Sequence, residues 1–289
     1  METNELLKRV RKIEIKTRGL SKHIFAGEYH SAFKGRGMAF SEVREYQYGD
    51  DFRSVDWNVT ARFNHPFIKV FEEERELTVM LLIDISGSGD FGTQSRFKAN
   101  LITELAAVLS FSAIQNNDKV GVIMFSDRIE RFIPPKKGRK HILRIISELI
   151  QFKPESKQTN ITIPLRFLVN AIKKRSTVFL ISDFMDENYE DALKIAGKKH
   201  DLVGLWVYDI RETELPGVGL LKVRDAETGK IAWIDTNNVA FRNAYQQLYR
   251  KKQEETSELL KKNGVDFVPV ASDEDYVKPL MRLFNKRAR

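Results

Sequence analysis

From residue 77 to the end of the chain, short apolar runs alternate with longer segments in which apolar residues recur at helical spacing. The runs are nearly continuous and rich in branched side chains, which is typical of strands buried on both faces of a sheet. They are residues 79–83, 120–125, 178–181, 202–207 and 265–270. The predicted helices are residues 95–116, 139–151, 163–174, 188–199, 238–263 and 274–287. This alternation predicts an α/β fold with a mostly parallel sheet and helices on both faces.

Two segments of this region are less regular. Residues 128–133 follow a Ser-Asp turn and are predicted to form an antiparallel edge strand. Residues 220–234 surround a Glu-Thr-Gly-Lys turn and are predicted to form a hairpin. We place a single domain at residues 77–289.

The first 76 residues follow a different pattern and are predicted to form an N-terminal extension. Residues 3–16 are predicted to form a basic amphipathic helix, with Leu6, Leu7, Val10 and Ile13 on one face. This helix either docks on its own protein or contacts a partner or an anionic membrane surface. Residues 17–65 lack a sustained helical period and are predicted to form short strands and ordered loops, with a further strand at 67–71.

Composition narrows the functional classes. The chain of 289 residues has 48 Lys and Arg against 40 Asp and Glu, a modest net charge of +8, and no cysteine. The absence of cysteine excludes disulfide scaffolds, thiolate zinc sites and cysteine nucleophiles. No stretch approaches the ~20 apolar residues of a membrane span, and no secretory h-region is visible. We therefore expect a cytoplasmic protein.

The ends of two predicted strands carry the candidate chemistry. The first core strand ends in Asp84-Ile-Ser86-Gly-Ser88-Gly, so that three oxygen-bearing side chains alternate on a Gly-rich turn. A later strand ends in Ser-Asp183, and the loop before a helix carries Thr159. Ligands of open α/β sheets bind outside the carboxyl ends of the strands, and Mg²⁺ prefers oxygen ligands.

These residues resemble the von Willebrand factor A-type fold with its metal-ion-dependent adhesion site. That family has Asp-x-Ser-x-Ser after its first strand, a Thr in a later loop and an Asp after a further strand. The resemblance implies that Asp84, Ser86, Ser88, Thr159 and Asp183 bind Mg²⁺ or Mn²⁺. Thr162 competes with Thr159 for the loop position.

The segment ahead of this region looks like a second signature. Residues 35–62 contain Gly-Arg-Gly-Met-Ala-Phe and then Arg-Glu-Tyr-Gln-Tyr-Gly-Asp-Asp-Phe-Arg-Ser-Val-Asp-Trp. This is similar to the bacterial family called domain of unknown function 58, or DUF58, whose members carry it immediately before a von Willebrand A-like domain. The signature either fixes the extension through salt bridges and aromatic contacts or binds a partner. Its candidate partner-binding residues are Arg44, Tyr46, Asp50, Asp51, Arg53, Asp56, Trp57 and Arg62.

The resemblance implies a cytoplasmic module that binds an acidic residue of a protein partner through the metal. Genes of this family commonly lie near those of MoxR-type AAA+ ATPases, which implies an accessory role in complex maturation or stress tolerance. Many members have two membrane-spanning helices, which this sequence lacks, so we do not carry over a membrane role.

Two alternatives remain from other functional classes. One is a metal-dependent hydrolase or phosphatase with Asp84 as nucleophile, although Ser86 stands where the haloacid dehalogenase pattern has a second Asp. The other is nucleic-acid binding through the basic C-terminal helices. The chain has no P-loop, dinucleotide fingerprint or zinc-ligand spacing of histidines, and we expect no enzymatic activity.

Overall fold

The computed structural model describes residues 3–20, 38–73, 77–87, 98–224 and 229–288. Its larger compact unit comprises residues 1–33 and 78–289, and the smaller unit comprises residues 34–77. The smaller unit ends at Leu77, and the sequence-based division lies between residues 76 and 77. The first helix, however, belongs to the larger unit rather than to the extension predicted at 1–76, because its buried residues pack on helices of that unit.

A six-stranded sheet forms the centre of the larger unit. Its strands are β3 (Thr78–Asp84), β4 (Lys119–Phe125), β5 (Ile129–Lys136), β6 (Thr177–Ser182), β7 (Asp201–Tyr208) and β10 (Asp266–Ala271), in the order β10-β7-β6-β3-β4-β5. Five strands are parallel, and β5 pairs antiparallel with β4 at the edge. The predicted fold class and the antiparallel edge strand are confirmed.

Helices cover this sheet. The elements are α1 (Thr3–Leu20), α3 (Lys98–Gln115), α4 (Arg139–Gln151), α5 (Thr162–Ala171), α6 (Glu190–Lys199), α7 (Ile210–Thr213), α8 (Val239–Lys262) and α9 (Val277–Ala288). One core cluster joins Met80 and Leu82 of β3 to Leu165 of α5, Leu193 of α6 and Leu260 of α8. Helix α3 contacts β3 and β4, and α1 and α4 pack against α3.

The amphipathic pattern of α1 is explained by this packing. Val10 joins a small apolar cluster with Phe111 of α3 and with Ile142 and Ile146 of α4. Thr17 is fully buried. The helix therefore docks on its own protein, the first of the two alternatives that its sequence leaves open.

A separate two-stranded sheet lies between β7 and α8. Strands β8 (Leu220–Arg224) and β9 (Ile231–Asp235) pair antiparallel, as predicted for the two arms of the hairpin. Residues 225–228 of the predicted turn lie outside the described residues. None of the helices in the described ranges has the length and hydrophobicity that a membrane span requires.

The smaller unit contains an antiparallel pair, β1 (Met38–Glu45) and β2 (Phe67–Glu73). Between them lie a 3₁₀ turn at Phe52–Ser54 and a short helix, α2 (Trp57–Phe63). The interpretation of residues 17–65 as strands and loops was wrong in two places, because α1 continues to Leu20 and α2 is helical. A seven-residue helix shows too little periodicity to detect, and it depends on its ends: Asp56 caps its start and Asn64 ends it in a left-handed conformation (φ 57).

Candidate functional site

Two aspartates end neighbouring strands of the central sheet. Strand β3 ends at Asp84, and Asp183 follows the last residue of β6. The strands are parallel and Ile83 pairs with Ile181, so both carboxylates lie at the same sheet edge. Both are buried, with 5% and 7% of their surface exposed. This is the arrangement that the sequence predicts for these two residues.

Hydrogen bonds to both oxygens fix the Asp84 carboxylate. The backbone N–H of Ser86 donates to Oδ1 at 3.0 Å, and the hydroxyl of Ser182 donates to Oδ2 at 2.6 Å. The Ser182 oxygen in turn accepts the backbone N–H of Phe184 at 3.1 Å. Phe184 has a positive φ of 53°, which is uncommon for a bulky residue and turns the chain directly after Asp183.

Burial and a like charge both act on Asp84. Burial in a poorly solvated site, together with the negative charge of Asp183, raises the pKa of Asp84 to about 7. The hydrogen bonds from Ser182 and Ser86 oppose this shift without cancelling it. Within the described part of the chain, no Lys or Arg forms an ion pair with Asp84, so a cation placed there would relieve an unfavourable charge.

Sequence reasoning missed a lysine and a glutamate beside this pair. Lys98, at the start of α3, has 2% of its side chain exposed, and its ammonium lies 3.3 Å from Asp183 Oδ2 and 2.6 Å from Glu212 Oε1. Burial alone would lower the pKa of Lys98, but Asp183 and Glu212 outweigh it and raise the pKa. Burial also raises the pKa of Glu212. The one sequence feature that could have indicated Lys98 is its position: it is a charged residue in the apolar stripe of α3, three residues before Leu101.

The hydroxyl residues of the predicted site are described in part. Ser86 is buried next to Asp84, whereas Ser88 lies outside the described residues. Thr159 is half-buried in a loop tied to the sheet edge, since the Gly87 N–H donates to Lys157 O and the Asn160 N–H donates to Ser126 O, both at 3.0 Å. The competing Thr162 lies in the first turn of α5, where its hydroxyl donates to Asn188 O at 3.4 Å.

These oxygens fit a hard divalent cation in chemistry and in charge. No three His, Asp or Glu side chains are grouped as a metal centre in the ranges that the structure describes. The candidate donors are instead the carboxylates of Asp84 and Asp183 and the hydroxyl of Ser86. Counting Asp84, Asp183 and Glu212 as ionised and Lys98 as protonated, the cluster carries a net charge of −2, which one dication balances. Mg²⁺ and Mn²⁺ favour such oxygen ligands.

In the smaller unit, the signature's aspartates serve local structure. Arg44 donates to both oxygens of Asp50 at 2.8 and 2.7 Å. Asp51 accepts the Arg53 N–H and so caps the 3₁₀ turn, and Asp56 accepts two backbone N–H groups at the start of α2. The Arg44 guanidinium holds the pKa of Asp50 below its usual range. The side chains of Arg44, Asp50, Asp51 and Asp56 thus stabilise the smaller unit itself and are not free to bind a ligand.

Several aromatic and basic residues of the signature remain exposed. Trp57 is 62% and Phe52 67% exposed, and their rings meet edge-on with centroids 5.6 Å apart. Arg53 and Arg62 are exposed, and Tyr46 is half-buried. The signature therefore keeps an aromatic and basic surface on its own unit, which leaves the partner-binding interpretation of these residues open.

The sheet order, the antiparallel edge strand and the paired aspartates at the carboxyl edge define a von Willebrand A-like α/β protein. More specifically, the chain belongs to the DUF58 family, because the family model described as protein of unknown function DUF58 matches residues 42–255. This match spans both units and includes most of the signature and all five residues of the predicted metal motif.

The chain is similar in sequence to mycobacterial proteins and in fold to several solved structures. The chain is 27% identical over 284 residues to uncharacterized protein Rv1480 of Mycobacterium tuberculosis, covering 97% of this chain and 89% of the relative. Mb1516 of Mycobacterium bovis matches to the same extent. Among solved structures, BatB from Bacteroides thetaiotaomicron matches with a TM-score of 0.49 and 19% identity, over 73% of this chain and 98% of that one. The SpRpn10 VWA domain matches with a TM-score of 0.41 and 11% identity, over 73% and 94%.

Proposed function

We propose that this protein is a metal-dependent protein-interaction module. Mg²⁺ or Mn²⁺ is held by Asp84, Ser86 and Asp183, with Ser88 and Thr159 as the further ligands that the motif supplies. The bound ion supplies a Lewis acid that attracts an acidic residue of a protein partner. The observation that carries this proposal is the pair of buried carboxylates at adjacent strand ends, of which Asp84 has no cationic partner among the described residues.

Binding without turnover is part of the proposal. A hydrolase needs a base to activate water and groups directed at a developing negative charge. The phosphatase alternative in particular requires a lysine beside the nucleophile. Lys98 forms its ion pairs with Asp183 and Glu212 instead, so it supports a charge-balancing role better than catalysis at Asp84.

The partner and the compartment belong to the same proposal. The DUF58 family context favours a MoxR-type AAA+ ATPase or its client as the partner, and an accessory role in complex maturation or stress tolerance in the cytoplasm. A partner carboxylate has the appropriate chemistry for this site. The two aspartates leave a bound dication formally neutral, so the ion can still accept a negatively charged oxygen from the partner as a ligand.

The first experiment measures metal binding alone. Wild type, Asp84→Ala and the matched exposed variant Asp191→Ala of α6 are freed of metal with chelator and then melted with and without millimolar Mn²⁺ or Mg²⁺. A ligand that binds only the native state stabilises by about 2.7 kcal/mol at 100 times its Kd, or several degrees in Tm. Wild type and Asp191→Ala should show this shift and Asp84→Ala should not. An unmoved wild-type Tm would remove the metal from the proposal.

The second experiment measures recognition. The three proteins are immobilised and offered a purified MoxR-type ATPase encoded beside a DUF58 gene, with Mg²⁺ or with chelator. Capture by wild type and Asp191→Ala that depends on Mg²⁺ and is lost in Asp84→Ala supports the proposal. Capture that persists in chelator would instead make the exposed signature surface around Trp57 the recognition site. Release of phosphate from a generic phosphate ester, abolished in Asp84→Ala, would favour the phosphatase alternative.

A further inference from the structure

A buried lysine shares one of the two carboxylates of the candidate metal site. Lysine is rarely buried unless it is paired, and the Lys98 ammonium is paired twice, with Asp183 at 3.3 Å and Glu212 at 2.6 Å. Asp183 therefore has a cation beside it before any metal arrives, whereas Asp84 is held by hydrogen bonds alone among the described residues.

Glu212 is itself fixed, which makes Lys98 a fixed cation. The second oxygen of Glu212 accepts the backbone N–H of Asp209 at 3.0 Å, and one oxygen of Asp209 accepts the Arg211 N–H at 2.9 Å. The other oxygen of Asp209 accepts the hydroxyl of Ser272, after β10, at 2.7 Å. A continuous set of hydrogen bonds thus runs from the end of β10 through α7 to Lys98 and Asp183.

This arrangement has a consequence for a bound dication. An ion that takes both Asp84 and Asp183 as ligands shares the Asp183 carboxylate with the Lys98 ammonium. Two cations at one carboxylate repel each other, and in a buried site neither water nor salt screens that repulsion well. Because Glu212 restrains Lys98, the ammonium cannot move out to solvent to relieve it.

We propose that Lys98 is a tethered cation that competes with the metal for Asp183 and thereby sets the metal affinity of the site. This inference rests on the proposed metal-dependent function and deepens it. Lys98 offsets part of the negative charge of Asp183, so the protein alone holds the metal weakly. An incoming partner carboxylate adds negative charge at the ion and compensates for this loss. Metal uptake and partner binding are then coupled, and each strengthens the other by the same factor.

The test compares Mn²⁺ affinity across a set of Lys98 variants, measured by calorimetry and by the spin-resonance signal of free Mn²⁺. Lys98→Met keeps the length of the side chain and removes its charge, and Lys98→Arg keeps the charge. The double variant Lys98→Met with Glu212→Gln removes one positive and one negative charge, so the cluster stays at the net charge of the wild type. It also avoids an uncompensated Glu212 in case the single variant fails to fold.

Lys98→Met and the double variant should each bind Mn²⁺ at least tenfold more tightly than wild type, and Lys98→Arg should stay within about threefold of it. A double variant that binds no more tightly than wild type would overturn the inference, because the ammonium next to Asp183 would then have no effect of its own. If wild type binds Mn²⁺ and no variant binds it more tightly, the inference fails and the proposed function stands. If only the lysine-free variants bind, the inference stands and the proposed metal dependence fails. If none binds, both fail.

Discussion

At the scale of single residues, burial and a like charge act in the same direction on Asp84. Together they raise its pKa from 3.8 in the unfolded chain to about 7 in the fold. The folded state therefore keeps a proton that the unfolded state loses as the pH rises. The resulting stabilisation is fully present below about pH 3.8 and is lost as the pH rises through about 7. In the absence of metal, Asp84 then works against folding at neutral pH.

Removing the charge of Asp84 should stabilise the metal-free protein. Asp84→Asn keeps the size of the side chain and one oxygen that accepts a hydrogen bond. In chelator at pH 8 we expect its free energy of unfolding to exceed that of wild type by on the order of 2 kcal/mol. The gain should shrink towards pH 4, and added Mn²⁺ should no longer shift the Tm. Denaturant titrations across this pH range measure both effects. A variant less stable than wild type at pH 8 would show that the hydrogen bonds of the carboxylate outweigh its charge.

His200 has the opposite pH dependence. It is buried, and neither ring nitrogen has a hydrogen-bond partner in the part of the chain that the structure describes. Burial, with the positive charges of Lys199 and Arg175, lowers its pKa from 6.5 to about 4. The unfolded state therefore takes up a proton first as the pH falls, so stability is lost between about pH 6.5 and 4.

We expect His200→Leu to lose less stability than wild type over that interval, by on the order of 2 kcal/mol. Paired unfolding curves at pH 7 and pH 4.5 measure the difference. Because Asp84 titrates with the opposite sign, the comparison is sharpest when both proteins also carry Asp84→Asn. If the two proteins lose the same free energy of unfolding between pH 7 and pH 4.5, folding does not lower the pKa of His200 and the prediction is wrong.

Single residues also show how far a sequence can predict a site. Asp84 and Asp183 could be placed because each ends an apolar run and parallel strands bring such ends to one edge. Lys98 and Glu212 are 114 positions apart by their numbers, and no periodicity links them. Their contact depends on the geometry of α3 and α7, which only the fold provides.

At the scale of elements, Arg287 joins the last helix to the starts of two strands. It donates to both oxygens of Asp201 at 2.8 and 3.0 Å, and to Asp266 at 2.7 Å. Asp201 begins β7 and Asp266 begins β10, and 13% of the Arg287 side chain is exposed. The planar guanidinium bridges the two carboxylates in a way that a single ammonium cannot.

Arg287→Lys should therefore destabilise the protein although it keeps the charge. We expect a loss of about 2 kcal/mol, since the two aspartates are partly exposed and a buried pair would cost more. The neighbouring Lys286, 74% exposed and paired with Asp266, provides the matched control: Lys286→Ala should cost less than about 1 kcal/mol. Equal losses in the two variants, measured by chemical denaturation, would contradict a bridging role for the guanidinium.

Elements differ in how well the sequence predicts them. The strands of the parallel sheet are nearly continuous apolar runs, so the predicted bounds of β3, β4 and β6 lie within one residue of the observed ones. The helix α2 could not, because it is defined by the caps at Asp56 and Asn64 rather than by an apolar stripe. The interior of a long element can be predicted from its hydrophobic periodicity, whereas a short element is determined by the capping residues at its ends.

At the scale of the whole molecule, the chain passes through its larger unit twice. Residues 1–33 and 78–289 form that unit, and residues 34–77 form the smaller one. The sequence predicts the boundary near residue 77 because the pattern changes there. The sequence does not show that α1 belongs to the larger unit, because the residues that Val10 contacts, Phe111 and Ile142, lie more than one hundred positions further along the chain.

The larger unit should require helix α1 but not the inserted residues 34–77. Deleting residues 1–20 removes Val10, the buried Thr17 and the Glu14 carboxylate that pairs with Arg139 at 2.5 Å. It also exposes Phe111 and its apolar neighbours, so this variant should lose several kcal/mol of stability or aggregate.

Replacing residues 34–77 by a flexible Gly-Ser linker should instead leave a folded larger unit whose Tm still responds to Mn²⁺, because α1, the central sheet, Asp84 and Asp183 all belong to that unit. Circular dichroism melts of the two variants with and without the ion distinguish these outcomes. A stable variant lacking residues 1–20, beside a linker variant that aggregates, would reverse the assignment and make the signature the segment on which the sheet depends.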